Sequence, residues 1–120
     1  MGSNCFLWQL YFPRVFRDNG GFDIIIGNPP YVSSSKISQE SKDALCNWSV
    51  TRTGKTDLYI PFFQIALECL NDNGILGYIT VNNFYRSVNG RAFRAYVSYY
   101  GYDFKIIFLT MASIVTGKKF

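Results

Sequence analysis

Phe22-Asp23-Ile24-Ile25-Ile26-Gly27 runs without a break into Asn28-Pro29-Pro30-Tyr31. Three consecutive isoleucines suit a strand buried on both faces, the kind found inside a parallel sheet. The two prolines that follow cannot donate to a ladder, so the strand has to end at about Gly27. A buried strand that opens at its carboxyl end into a stiff, proline-locked turn constrains the fold more than any other stretch of the chain.

The rest of the chain supplies neighbours for that strand. Upstream, the aromatic-rich segment FLWQLYFPRVFRDNGG closes in a turn at Asn19-Gly20-Gly21. Downstream, residues 32–56 are polar and read as a long loop, with one short helix near Gln39–Trp48; a loop of that length inside a domain is usually functional or disordered. A helix is expected over Asp57–Asn71, capped by Thr56 or Asp57, with Pro61 tolerated in its first turn and Leu58, Phe62, Ile65, Ala66 and Cys69 on one face. Asn73-Gly74 ends it, with Gly74 taking the left-handed conformation. Ile75–Val81 reads as a second buried strand, Gly90–Val97 as a helix, Tyr99–Tyr102 as a turn and Phe104–Leu109 as a third strand, with no clear final hairpin after it. Strands alternating with helices imply a parallel sheet with right-handed crossovers, part of a doubly wound α/β fold. In such sheets ligands bind beyond the carboxyl ends of the strands. The turns after Gly27 and Val81 should therefore open on one edge.

Composition narrows the chemistry. The 120 residues are 48% hydrophobic and 18% aromatic, sufficient for one modest domain with a core. Twelve Lys and Arg against eight Asp and Glu give a net charge of +4, which suits an anionic partner and equally a solvated surface. The absence of His removes the usual general base, a Ser-His-Asp triad and the commonest metal ligand. Cys5, Cys46 and Cys69 are odd in number and widely spaced, so they read as reduced thiols of a cytoplasmic protein rather than as a disulfide framework or a metal site. No signal peptide is recognised at the start, and the apolar run Ile106–Val115 is too short to span a bilayer.

The turn itself suits one kind of reaction. An exocyclic amino group on adenine is a poor nucleophile because its lone pair is delocalised into the ring. Two acceptors set around it, the side-chain oxygen of Asn28 and the carbonyl of Pro29, favour a pyramidal nitrogen aimed at a methyl donor. Pro29 brings no N–H to compete, and Pro30 stiffens the wall. Tyr31 offers a face on which a base flipped out of the duplex can stack, worth roughly 1–3 kcal/mol. A sulfonium donor carries its own activation, so neither a metal nor histidine is required. Read without context, the same four residues also make an ordinary tight turn after a strand.

Arg86, Arg91 and Arg94 fall in a stretch without an acid between Asp72 and Asp103. They read either as phosphate contacts or as a solvated helix face. Lys36, Lys42, Arg52 and Lys55 in the long loop carry the same two readings. Asp57 fits helix capping better than catalysis, and Asn82 either lines the pocket or is a turn residue. Gly54-Lys55-Thr56 lacks the earlier glycine and preceding strand of a phosphate-binding loop.

GFDIIIGNPPYV resembles the catalytic motif of adenine-specific DNA methyltransferases of type II and fused type IIG restriction–modification systems. The resemblance also takes in Phe6, Trp8, Phe12, Pro13, Val15 and Phe16 upstream, the Asp57-Leu58-Tyr59 helix start, the strand after Gly74, and Asn82, Arg86 and Arg94, covering residues 4–97. It implies a class I, Rossmann-like methyltransferase sheet that uses S-adenosylmethionine on double-stranded DNA with a flipped adenine. Asn28 and Pro29 would hold the amino group, Pro30 would shape the wall and Tyr31 would stack on the base. Lys36, Arg86, Arg91 and Arg94 are the candidate DNA contacts, and no metal is implied. The family's glycine-rich cofactor motif should precede Trp8, where only seven residues stand, and Val81 replaces a common proline. The expectation is thus that residues 4–120 are the catalytic C-terminal part of a methyltransferase domain. The main cofactor site and the target-recognition domain would lie elsewhere, the isolated chain would be inactive, and it would self-associate through an exposed sheet edge. Protein-glutamine and RNA-guanine methyltransferases share NPPY and remain the alternatives, together with a non-catalytic interaction fragment.

Overall fold

The computed structural model describes residues 7–45, 48, 57–81, 88, 90–100, 103–108 and 112–118. Two short helices, α1 (Trp8–Tyr11) and α2 (Pro13–Asn19), lead into β1 (Phe22–Gly27). A 3-10 turn at Ser34–Lys36 and α3 (Gln39–Leu45) follow; then come α4 (Tyr59–Cys69), β2 (Leu70–Val81), α5 (Arg91–Tyr100), β3 (Asp103–Phe108) and β4 (Ala112–Lys118). The four strands form one sheet in the order β1-β2-β4-β3. β1 and β2 are parallel, while β4 runs antiparallel to both β2 and β3. β1, β2 and β3 therefore share one direction, as the alternation of strands and helices implies.

The strand β4 is a correction to the sequence reading, which ends without a hairpin. Ser113, Thr116 and Gly117 break any apolar run, so the segment lacks a strand signature. The inward positions of β4 are nevertheless Ser113, Val115 and Gly117, all buried. They stand opposite Thr80, Tyr78 and Leu76 of β2. Small residues are needed there because the large side chains of β2 and of the helices already fill the space. The hydroxyls of Thr80 and Ser113 are buried without a hydrogen-bond partner among the described residues.

The core lies on one face of the sheet. Tyr59, Ile60, Phe63, Ala66 and Leu67 of α4 pack with Leu70, Leu76 and Tyr78 of β2, Phe93 of α5 and Val115 of β4. Phe63 sits at the centre, 4.7 Å from the Phe93 ring and 5.1 Å from that of Tyr78. Burying a side chain of this size contributes roughly 1.5–3 kcal/mol. The buried stripe of α4 is only partly the expected one: Ala66 and Cys69 are buried, but Leu58, Phe62 and Ile65 are only half-buried. Almost every residue from Leu58 to Leu67 is apolar, so periodicity could not choose the inward face. The helix is also shorter than Asp57–Asn71, and β2 begins directly at Leu70.

On the opposite face, Ile24, Ile26, Ile75, Ile79 and Ile107 are each more than half exposed. β1 is an edge strand of this sheet. Its isoleucines suit burial on both sides, yet only one side is covered here.

The amino end of β1 is firmly fixed. Phe22 receives the rings of Trp8, Phe12 and Phe16 edge-on, at centroid distances of 5.8, 5.5 and 5.5 Å. The Asn19 and Asn71 side-chain amides both donate to Asp23 Oδ1, at 2.9 and 2.6 Å. Gly21 has φ +142°, and a Cβ there would lie 2.5 Å from the Cys69 carbonyl oxygen. Here the expected left-handed glycine after α4 is corrected: Asn73 takes the positive φ, +70°. Asn tolerates this conformation, and Gly74 instead fills a spot where a Cβ would come within 2.8 Å of Leu70.

Candidate functional site

The carboxyl end of β1 emerges at Gly27, beneath which the Tyr78 ring passes; a Cβ on Gly27 would lie 3.2 Å from Tyr78 Cε1. Tyr78 is itself held by its hydroxyl, which donates to the Phe62 carbonyl at 3.1 Å. Burial pushes the Tyr78 phenol up to about 12, with Cys69 adding to the shift, so it remains a protonated donor.

Beyond Gly27, Asn28 is exposed, Pro29 is buried, and Pro30 and Tyr31 are exposed. Asn28 and Pro30 therefore face the solvent-accessible side of the turn, while Pro29 anchors it. Tyr31 is 52% exposed, and one side of its ring meets Tyr59 at 5.9 Å and an angle of 46°. The Tyr31 ring thus has one supported side and one open to solvent, a form that suits stacking by a planar ligand.

Residues 57–59 hold the segment after the motif. The Leu58 N–H donates to the Val32 carbonyl at 2.9 Å. The Ser34 N–H donates to Asp57 Oδ1, also at 2.9 Å. This corrects the capping assignment: α4 has Leu58 at its cap position and no side-chain cap, and Thr56 lies outside the described residues. The Asp57 carboxylate goes to a segment 23 residues away instead. Spacing along the chain could not reveal that partner. The only sequence signal was the Asp-Leu-Tyr pattern itself.

The basic candidates are distributed differently. Lys36 is exposed at the end of the 3-10 turn, Arg91 is exposed at the start of α5, and Arg94 is half-buried one turn further on. Arg86, Asn82, Arg52 and Lys55 lie outside the described residues, and Lys42 is half-buried on α3. The short helix expected near Gln39–Trp48 is present as α3, its first turn closed by Ser38 Oγ accepting the Ser41 N–H at 3.3 Å.

A cavity of about 390 Å³ opens beside β1, lined by Trp8, Phe22, Ile24, Phe62, Ile65 and Tyr78 among others. Its lining includes none of Asn28–Tyr31, and it follows the free edge of β1 rather than the strand's carboxyl end. The nucleoside end of a cofactor needs a glycine-rich turn running into a helix, and commonly an acidic residue at a neighbouring strand end. Among the described residues, β1 ends at Gly27 and is followed by Asn28-Pro29-Pro30-Tyr31 rather than by a glycine-rich turn; the residues directly after Val81 of β2 and Phe108 of β3 lie outside the described ones. The described turn after β1 does not supply that cradle for S-adenosylmethionine.

Parallel β1 and β2, with the antiparallel strand β4 lying between β2 and β3, form a partial class I methyltransferase sheet. The chain superimposes with a TM-score of 0.59 and 12% identity on a putative class I S-adenosylmethionine-dependent methyltransferase of Listeria monocytogenes, over 82% of this chain and 32% of that one. Within that class it belongs to the Eco57I restriction-modification methylase family, whose model matches residues 1–112. It is 35% identical over 92 residues to the type II methyltransferase M.BstVI of Geobacillus stearothermophilus, covering 77% of this chain and 16% of the relative. It is also 35% identical over 77 residues to M.XhoI of Xanthomonas vasicola, covering 64% of this chain and 14% of the relative. The Escherichia coli restriction enzyme and methyltransferase RM.Eco57I matches at 29% over 92 residues, 74% of this chain and 9% of the relative. The chain thus spans about a sixth or less of the length of these curated relatives.

Proposed function

We propose that this chain is the catalytic segment of a site-specific DNA methyltransferase of a restriction–modification system, acting on the N6 amino group of adenine. The observation that carries the reading is the turn at the carboxyl end of β1, with Asn28 open to solvent, Pro29 buried and Tyr31 half-open against Tyr59. The Asn28 Oδ1 and the Pro29 carbonyl accept the two amino hydrogens, and Pro30 limits where the nitrogen can sit. Tyr31 holds the flipped base by its exposed side, with Tyr59 behind it. No general base is needed to start the reaction, in keeping with a chain that has no His. S-adenosylmethionine supplies the methyl group in this fold class.

Residues 4–120 form the C-terminal catalytic part of the methyltransferase domain in this reading. The glycine-rich cofactor part and the target-recognition domain belong to the longer protein. The short span relative to the curated relatives and the bare isoleucines of β1 support it. Double-stranded DNA is the partner; Lys36 and Arg91, both exposed, serve as phosphate contacts, with Arg86 and Arg94 as further candidates. The work is cytoplasmic, where DNA is found; among the described residues no helix is long and apolar enough to cross a membrane. The isolated chain self-associates through the free edge of β1 and does not methylate.

The test is methyl transfer from labelled S-adenosylmethionine to duplex DNA by the intact protein, followed by digestion to nucleosides. The expected product is N6-methyladenosine in its deoxy form, absent when the 120-residue chain is used alone. Label in cytosine, or in protein rather than DNA, contradicts the assignment.

A further inference from the structure

Asp57 stands immediately before Leu58, the cap position of α4, where a carboxylate can still turn back onto the first amides of its own helix. It does not do so here. Its backbone carbonyl accepts the Ile60 N–H at 3.2 Å, while its side chain reaches the Ser34 N–H at 2.9 Å. Ser34 opens the 3-10 turn Ser34–Lys36, and that turn also lacks a side-chain cap from its own Ser33. One residue further on, the Leu58 N–H donates to the Val32 carbonyl, and one further still the Tyr59 ring lies against Tyr31. Three successive residues, 57–59, thus grip three points of the segment 31–34. Tyr59 is 1% exposed and belongs to the hydrophobic core, so the grip is tied to the core of the molecule.

We infer that Asp57 is a positioning residue for Tyr31: with the Leu58 amide it fixes the Val32–Ser34 backbone, which holds the Tyr31 ring on Tyr59 with its other side open. The inference rests on the proposed role of Tyr31 in stacking on a flipped base. Its geometric part stands apart from that role. A half-exposed tyrosine directly after a Pro-Pro turn would otherwise sample several rotamers, and restricting it in advance lowers the entropy lost when a base stacks. The carboxylate acts through acceptance of one N–H and touches no reacting atom.

The test uses the 120-residue chain and two variants, Asp57→Ala and Asp57→Asn, the second keeping a side-chain oxygen that can accept. Amide exchange at Ser34 should quicken by about tenfold or more in Asp57→Ala, on the scale of one lost hydrogen bond. The Tyr31 ring resonances should move as the contact with Tyr59 loosens, while Phe63 and Leu67 of α4 stay protected. Asp57→Asn should restore most of both signals. Leu58→Pro removes the other donor while respecting the local φ of −60°. It should loosen the same two sites and serves if Asp57→Ala does not fold. Unchanged Ser34 exchange and Tyr31 shifts in Asp57→Ala and Leu58→Pro overturn the inference. So does general loss of α4 protection in both, which marks ordinary helix capping. Titration with a single-stranded oligonucleotide containing 2-aminopurine separates the two readings. Wild type should quench its fluorescence and Asp57→Ala should bind about tenfold more weakly, a change of about 1.4 kcal/mol. If wild type does not bind the probe but Ser34 and Tyr31 respond as expected, the grip stands and the base-stacking role of Tyr31 falls.

Discussion

The two ends of β1 are built on opposite plans. At the amino end, Phe22 is enclosed by three aromatic rings, Asp23 is held by two asparagine amides, and Gly21 is pressed against the backbone at Cys69. At the carboxyl end, Asn28, Pro30 and Tyr31 stand open, and the two hydrogen bonds from residues 57–58 hold the backbone beyond them. The strand is pinned by side-chain contacts at its amino end and opens onto the turn at its carboxyl end. The amino-end contacts lie where no chemistry is proposed. Of the groups proposed for the reaction, Asn28, Pro30 and Tyr31 are exposed and open to a ligand, while Pro29 is buried and anchors the turn. This division separates cleanly under mutation, because the two sets of residues lie at opposite ends of a six-residue strand and are expected to act independently.

The largest effect belongs to Gly21→Ala. The residue would have to keep φ +142° while its Cβ pressed to 2.5 Å from a carbonyl oxygen. We expect a loss on the order of 3 kcal/mol, or failure to fold, in urea titration of the 120-residue chain. Phe22→Ala comes next, at about 2 kcal/mol by the same titration, since it removes a half-buried ring and three edge-to-face contacts. A loss under about 0.5 kcal/mol, the level of an ordinary surface change, would break the comparison at this end.

A smaller effect is expected from acid. Hydrogen bonds from Asn19 and then Asn71 hold the Asp23 carboxyl below its usual value of 3.8, against a slight opposing effect of burial. A carboxyl depressed in the folded state stabilises fully above its unfolded pKa, and that contribution is lost as the pH falls through the folded one. The melting temperature of the wild type should therefore drop more steeply below about pH 4 than that of Asp23→Asn, which has no proton to gain there. Parallel acid limbs for the two proteins would remove Asp23 from the anchor. The smallest effect is that of Tyr31→Ala, expected within about 0.5 kcal/mol of wild type because the ring is half exposed. A larger loss would mean that the carboxyl end also carries the fold.

Much of this arrangement was legible in the sequence, and the parts that were not share a cause. Ile24-Ile25-Ile26 followed by two prolines located β1 and its abrupt end, because strand and breaker are both local properties of the chain. Asn19-Gly20-Gly21 marked its turn for the same reason. β4 was missed because its inward residues, Ser113 and Gly117, are small to fit a space filled by other elements, and small residues leave no apolar pattern. The inward face of α4 is legible only at Ala66 and Cys69, because nearly every residue of the helix is apolar and only the position of the sheet decides between Phe62 and Phe63. Asp57 looked like a cap because its true partner, Ser34, is close in space and distant in sequence. Each of these depends on which elements meet, which no local pattern encodes.

The site shows the same division. Asn28–Tyr31 are proposed from their residue types; the structure places them directly after the carboxyl end of β1, with Asn28, Pro30 and Tyr31 exposed and Pro29 buried. The grip by residues 57–59 came only from the fold.

The most direct measurement pairs activity with stability in a single variant, Asn28→Ala in the intact protein. Loss of the acceptor proposed for the reacting amino group should lower methyl transfer to DNA by about 100-fold or more. The denaturation midpoint should stay within about 0.5 kcal/mol of wild type, as for any exposed residue outside the anchor. Unchanged transfer, or a loss of stability like that of Gly21→Ala, would contradict the account.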